Sequence, residues 1–190
     1  MRNRIYDYFK RISNHEDTHV QTLVDVIKSL GGKPVPASNY DVGITGVGSA
    51  VRTAKLLENT GVKAYDGAIA HIEAAQLLTA GATIATVEAR HASYLNLINR
   101  SVPYPSAFDN AAAPRRICET VREAFIISAP RPYGPYNSLG ALCDRLPNRV
   151  TRDVYGSIEV PADGAVAPSP KTLTVPIGPL GRTSEDKTSR

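Results

Sequence analysis

Two Glu-x-x-His steps, Glu16 to His19 and Glu88 to His91, fall in the middle of stretches whose apolar residues recur every three or four positions. In the first stretch Ile5, Phe9 and Ile12 lead to Glu16 and His19, and Leu23, Val26 and Leu30 follow. That rhythm is the buried seam of a helix packed on other helices, so a carboxylate and an imidazole stand where hydrocarbon is expected. A later stretch repeats the pattern through Leu77, Gly81, Ile84, Glu88, His91, Leu95 and Ile98. Between them Val47, Val51, Ala54, Glu58, Gly61 and Tyr65 form a third seam, interrupted by Glu58 alone. Helical residues three apart lie on one face, so each Glu and His pair converges on one spot.

Chance does not account for this. With eight Glu and four His in 190 residues, about 0.2 such steps are expected at random, and here two occur, both in register with a seam. Three carboxylates buried side by side repel, and each costs on the order of several kcal/mol in lost hydration unless paired. No lysine or arginine shares the seams near these positions. Divalent cations would neutralise the carboxylates and use the imidazole nitrogens. Mixed carboxylate and imidazole donors suit iron or manganese, with zinc as an alternative. The candidate metal ligands are Glu16, His19, Glu58, Glu88 and His91.

Periodicity and breakers set the organisation. The first helix is expected from about Asn3 to Leu30, ending at Gly31-Gly32. Residues 31–44 form a Pro- and Gly-bearing connection, which can span about 46 Å if extended. Glu58 and the Glu88/His91 pair sit at one level only if the chain turns near their midpoint, around residues 67–75. A short fourth helix fits "AAAPRRICETVREAFI", with Pro114 in its first turn. Residues 128–190 hold nine of the fourteen prolines and a polar end. They are expected to form a low-complexity, disordered tail, in which "KTLTVPIG" is at most a lone strand. The expected domain is therefore 1–127, with the tail from 128.

This constellation, one Glu from each of two helices and one Glu-x-x-His from each of two others, belongs to di-metal carboxylate bundles. The sequence resembles the ferritin-like superfamily. "LLENTGVKAYDGAI" and "TIATVEARHASYL" look like the branch that includes plant desiccation-related and fungal stress or sexual-development proteins. The resemblance covers about residues 1–127. It implies an all-α, ferritin-like helical bundle holding two iron or manganese ions, with oxygen- or peroxide-linked redox chemistry such as ferroxidase or catalase-like activity. The alternative is a non-catalytic stress or developmental protein with a structural or degenerate metal site. Relatives of this branch are often secreted, and the chain itself leaves its localisation open.

One ligand of that pattern is missing. Glu58 precedes Glu88 by 30 residues, and the equivalent Glu for the first half would fall ahead of Met1. The bundle is expected to lack its first helix, leaving an apolar seam open to a homo-oligomer contact. The remaining signals are bland. No apolar run approaches the roughly 18 residues of a membrane span, and "MRNRIYDYFK" is not a signal peptide. The net charge of +4 is spread along the chain, which argues against nucleic acid as a partner. Cys118 and Cys143 make no disulfide framework and are expected as separate thiols. His15 and His71 lie off the seams and are expected in solvent. Tyr65 and Tyr94 are expected to pack in the core, and Arg90 to face away from the ligands. "GITGVG" at 43–48 lacks a Walker lysine and is expected to start a helix, not to bind phosphate.

Overall fold

The computed structural model describes residues 2–150. Three long helices carry the ligand seams: α1 (Arg2–Ser29), α2 (Val47–Ile69) and α3 (Ala75–Ile98). A short helix, α4 (Pro114–Phe125), follows with proline in its first turn, where the missing N–H leaves no bond unmade. Among the described residues the fold is all-α apart from one two-stranded pairing and an isolated bridge between Tyr133 and Tyr136.

Local chemistry sets the ends of these helices. α1 stops where Gly31 adopts φ 75°, its N–H bonding to Lys28 while Gly32 N–H reaches Ile27. Those two bonds cap carbonyls that a helix end otherwise leaves bare. Gly46, inside the glycine-rich run, caps α2 as expected of a helix start. α2 and α3 are joined by residues 70–74, within the turn anticipated from the Glu58 to Glu88 spacing.

The α2–α3 hairpin holds the main core, with Val62, Ile84, Ala85, Ala92 and Leu95 buried. Polar pairs fix its register. Asn59 and the buried Asn96 bond through their amides at 3.1 and 3.4 Å, and Asn99 reaches the Val51 carbonyl at 3.1 Å. Buried amides cost free energy unless paired, so these contacts penalise a slip of one helix along the other. By contrast α1 contains no fully buried residue between Arg4 and Ser29. Val20, Leu23, Ile27 and Leu30 are exposed along one side of it or at its end.

The chain from 128 onward departs from the sequence expectation over residues 128–150, which are ordered. β2 (Ile126–Ser128) pairs antiparallel with β1 (Asn39–Tyr40) in the connection after α1. Beyond it α5 (Leu139–Arg145) is capped by the Ser138 side chain, which accepts from Ala141 N–H at 3.2 Å. Cys118 and Cys143 are not separate thiols but a disulfide joining α4 to α5. Tyr133, Leu139 and Cys143 make a small second core, and the Ser38 hydroxyl donates to the Tyr133 hydroxyl at 3.1 Å inside it. Prolines here shape turns around a covalent link, so the segment folds without helical periodicity. The remainder of the expected tail, 151–190 with "KTLTVPIG", lies outside the described residues. Among the described residues no helix is long and apolar enough to cross a membrane.

Candidate metal centre

Glu16 and His19 come from α1, Glu58 from α2, and Glu88 and His91 from α3. One ligand atom each from Glu16, Glu58, Glu88 and His91 lies within 4.8 Å of all the others. His91 Nδ1 is 3.2 Å from Glu16 Oε1, 3.3 Å from Glu58 Oε2 and 3.8 Å from Glu88 Oε2. His19 adjoins the group, its Nδ1 3.1 Å from Glu88 Oε1 and 3.6 Å from Glu16 Oε2. The five residues singled out by their spacing are therefore together. Glu58, Glu88 and His91 are buried, while the Glu16 side chain is 42% exposed. The cluster thus has a dry side, against the hairpin, and a wetter side at Glu16.

The close distances conceal a lack of hydrogen bonds. Glu16 Oε1, Glu58 Oε2, His19 Nδ1 and His91 Nδ1 are all buried with no hydrogen-bond partner. Unpaired buried polar atoms are rare because each carries its full desolvation cost. Donor atoms roughly 2.1 Å from a shared cation sit roughly 3.0–3.4 Å from one another, which matches the separations from His91 Nδ1 to Glu16 and Glu58, while Glu88 at 3.8 Å lies slightly farther out. The donor set also suits a divalent ion, with hard carboxylate oxygens and imidazole nitrogens. Lys55, one turn before Glu58, is committed elsewhere, donating to Ser101 at 2.6 Å.

Without a cation the charges push against one another. Burial raises the Glu58 carboxyl to about 7, opposed by the adjacent His91 imidazole and helped by Glu88 and Glu16. Burial also works against ionised Glu88, but the neighbouring His91 and Glu58 side chains and the charge of His19 hold its pKa low. For His91 burial disfavours the cation, yet Glu16, Glu58 and Glu88 together carry it up to about 11. In the absence of a cation a proton therefore stays on His91, and a second is taken by Glu58 in preference to Glu88. These are positions a cation would take from protons.

Residues set aside on sequence grounds fall into two groups. Tyr65 is partly buried, and burial with the Glu88 and Glu16 charges pushes its phenol up to about 12. Tyr94 packs edge-on against Tyr8 at 5.3 Å, with its hydroxyl buried and unpartnered. Arg90 is exposed, as expected. The two off-seam histidines are not simply solvated. His71 Nε2 lies 3.0 Å from the Arg149 carbonyl, and His15 Nδ1 lies 2.9 Å from His91 Nε2. His15 was hidden from the seam argument because it stands one residue, about 100°, from Glu16 on its helix. The only sequence signal for it was adjacency to a ligand.

Residues 1–100 match the family model described as ferritin-like domain, which covers more than half of the chain. The chain belongs to the ferritin-like family. The match takes in α1, α2 and all of α3, and so every residue of the Glu/His cluster. No curated protein sequence matches the chain at a significant level. A Glu/His group able to hold a metal inside a ferritin-like helical domain is thus supported by sequence, geometry and family together.

Proposed function

We propose that this ferritin-like protein binds divalent iron or manganese through Glu16, His19, Glu58, Glu88 and His91. The observation that carries the reading is the set of four buried donor atoms, without hydrogen-bond partners, gathered from three helices. Glu16, Glu58 and Glu88 would neutralise cation charge, and His19 and His91 would each complete the donor set of one ion. Three carboxylates balance fewer charges than two divalent ions bring, so the second position is weaker. When bound, iron or manganese would supply oxygen- or peroxide-linked redox chemistry. The chain's own part is to hold Glu58, Glu88 and His91 fixed on a rigid hairpin, bring Glu16 and His19 to them from α1, and exclude water on the Glu58 and Glu88 side. Tyr65, kept neutral by burial, feels the charges of Glu88 and Glu16.

The resemblance of the sequences around Glu58 and Glu88/His91 supports the desiccation-related and fungal stress branch as the part of the family to which this chain would belong. The exposed Val20, Leu23 and Ile27 on α1 supply the surface through which copies would associate. A structural role for the metal is the second reading, favoured by the weak burial of α1. Metal content of purified protein by mass spectrometry, beside a Glu88→Ala/His91→Ala control, tests the proposal. Near-stoichiometric iron or manganese, absent from the control, is the expected result. No uptake after reconstitution refutes it. Turnover of O₂ or peroxide by the loaded protein separates a redox site from one that only stabilises.

A further inference from the structure

The contact between His15 and His91 is unusual in its geometry. The ring planes differ by 13° and the ring centres are 5.1 Å apart, while His15 Nδ1 and His91 Nε2 are 2.9 Å apart. That centre-to-centre distance is about the nitrogen–nitrogen distance plus the two ring radii. The near-parallel rings are therefore not face to face but end to end, almost coplanar, with the bond running along the in-plane lone-pair direction. Such a bond needs one N–H and one bare nitrogen.

We propose that His15 is a positioning residue that fixes His91 as an Nδ1 ligand by accepting a hydrogen bond from its Nε2–H. The inference rests on the metal-binding reading above. His91 Nδ1 faces Glu16 and Glu58 and has no hydrogen-bond partner of its own. A neutral imidazole that ligates through one nitrogen carries its hydrogen on the other. For His91 that hydrogen is on Nε2, and His15 Nδ1 is the acceptor in line with it. His15 is in turn held as the Nε2–H tautomer. Because His15 precedes Glu16 on α1, one helix supplies both a ligand and the partner that aims a ligand of α3.

What lies behind the pair makes the role testable. His15 and His91 border a cleft of about 260 Å³ between α1 and α3, walled by Tyr8, Ile12, Val87 and Tyr94 with Arg11 and Arg90 at its sides. Removing the His15 ring leaves His91 Nε2–H facing this largely apolar space without a fixed acceptor. The cleft plus the vacated ring volume admits a free imidazole.

The experiment measures Mn(II) affinity of the full chain, reading unbound Mn(II) by electron paramagnetic resonance, for the wild type, His15→Ala, His15→Phe and His15→Gln. Loss of such an outer partner typically costs 10–100-fold in metal affinity. About that loss is expected in the Ala and Phe variants, with partial recovery in Gln, whose carbonyl accepts a hydrogen bond. Added imidazole is expected to restore His15→Ala but not His15→Phe, whose ring fills the site. Wild-type affinity in His15→Ala overturns the proposal. So does a weakened His15→Ala that imidazole leaves unchanged while Gln is as weak as Phe, since the residue is then only structural. Wild-type protein that takes up no Mn(II) refutes the metal-binding reading and this inference with it, and that failure shows before any variant is compared.

Discussion

At the scale of single residues, the cluster is a competition between protons and a cation. Glu58 has a folded pKa of about 7 against an ordinary 4.5. A raised carboxyl pKa means the folded state binds the proton more tightly. Its contribution to stability is full below pH 4.5 and lost as pH rises to 7. His91, raised from 6.5 to about 11, has the same sign, contributing fully below pH 6.5 and losing ground toward 11. Metal-free protein should therefore grow less stable as pH rises from 4.5 to 7, by denaturant titration at each pH. Glu58→Gln should abolish much of that loss, gaining on the order of 2 kcal/mol at pH 8 and nothing at pH 4, while weakening metal uptake. Metal reverses the slope, because ionised carboxylates and neutral imidazoles bind it better as pH rises. The ligands were legible in the sequence because burying a charge breaks a pattern that is otherwise strict. His15 broke no pattern, and its role depends on where another helix puts His91, which no local spacing encodes.

At the scale of elements, two close contacts decide what the helices tolerate. Gly67 on α2 lies against the backbone of Ala112, where an added Cβ would collide with the Ala112 carbonyl. The Ala112 N–H also bonds to the Lys63 carbonyl at 3.0 Å, so this segment cannot simply retreat. Gly67→Ala should cost about 1–3 kcal/mol, the usual range for overpacking, despite the better helix propensity of alanine. Thermal or denaturant unfolding of the variant checks it. The Cys118–Cys143 disulfide closes a sequence separation of 25 residues, for which chain entropy gives roughly 3 kcal/mol. Reduction, or the double Ala variant, should lower stability by about that much and leave metal affinity unchanged, since every ligand is on α1, α2 or α3. The long helices, the turn at 70–74 and the proline start of α4 were readable from periodicity and breakers. The strand pairing and the disulfide were not. Tyr40 meets Ile126 and Cys118 meets Cys143 through three-dimensional proximity, and segments of two to seven residues carry too little periodicity to announce themselves.

At the scale of the whole molecule, the helices are unequally attached. α2 and α3 share a buried core and a ladder of amide bonds. α1 meets α3 through Tyr8 against Tyr94, His15 against His91, and Glu16 and His19 within the cluster. Most of those contacts are ligands or touch one. Local opening free energies follow buried apolar contact, so metal-free α1 is the helix that should open most easily. A cation that binds only the closed arrangement stabilises it by about 2.7 kcal/mol at a free concentration 100 times its Kd. Hydrogen exchange with and without Mn(II) should therefore show α1 amides gaining roughly a hundredfold protection, while the interior of α2 and α3 changes far less. Glu88→Ala/His91→Ala should erase the difference. Uniform protection across all three helices would mean that α1 is held by packing and that the cluster is not its clasp. Selective protection would make the Glu/His centre the element that joins α1 to the hairpin, so that binding a metal and completing the fold are one event.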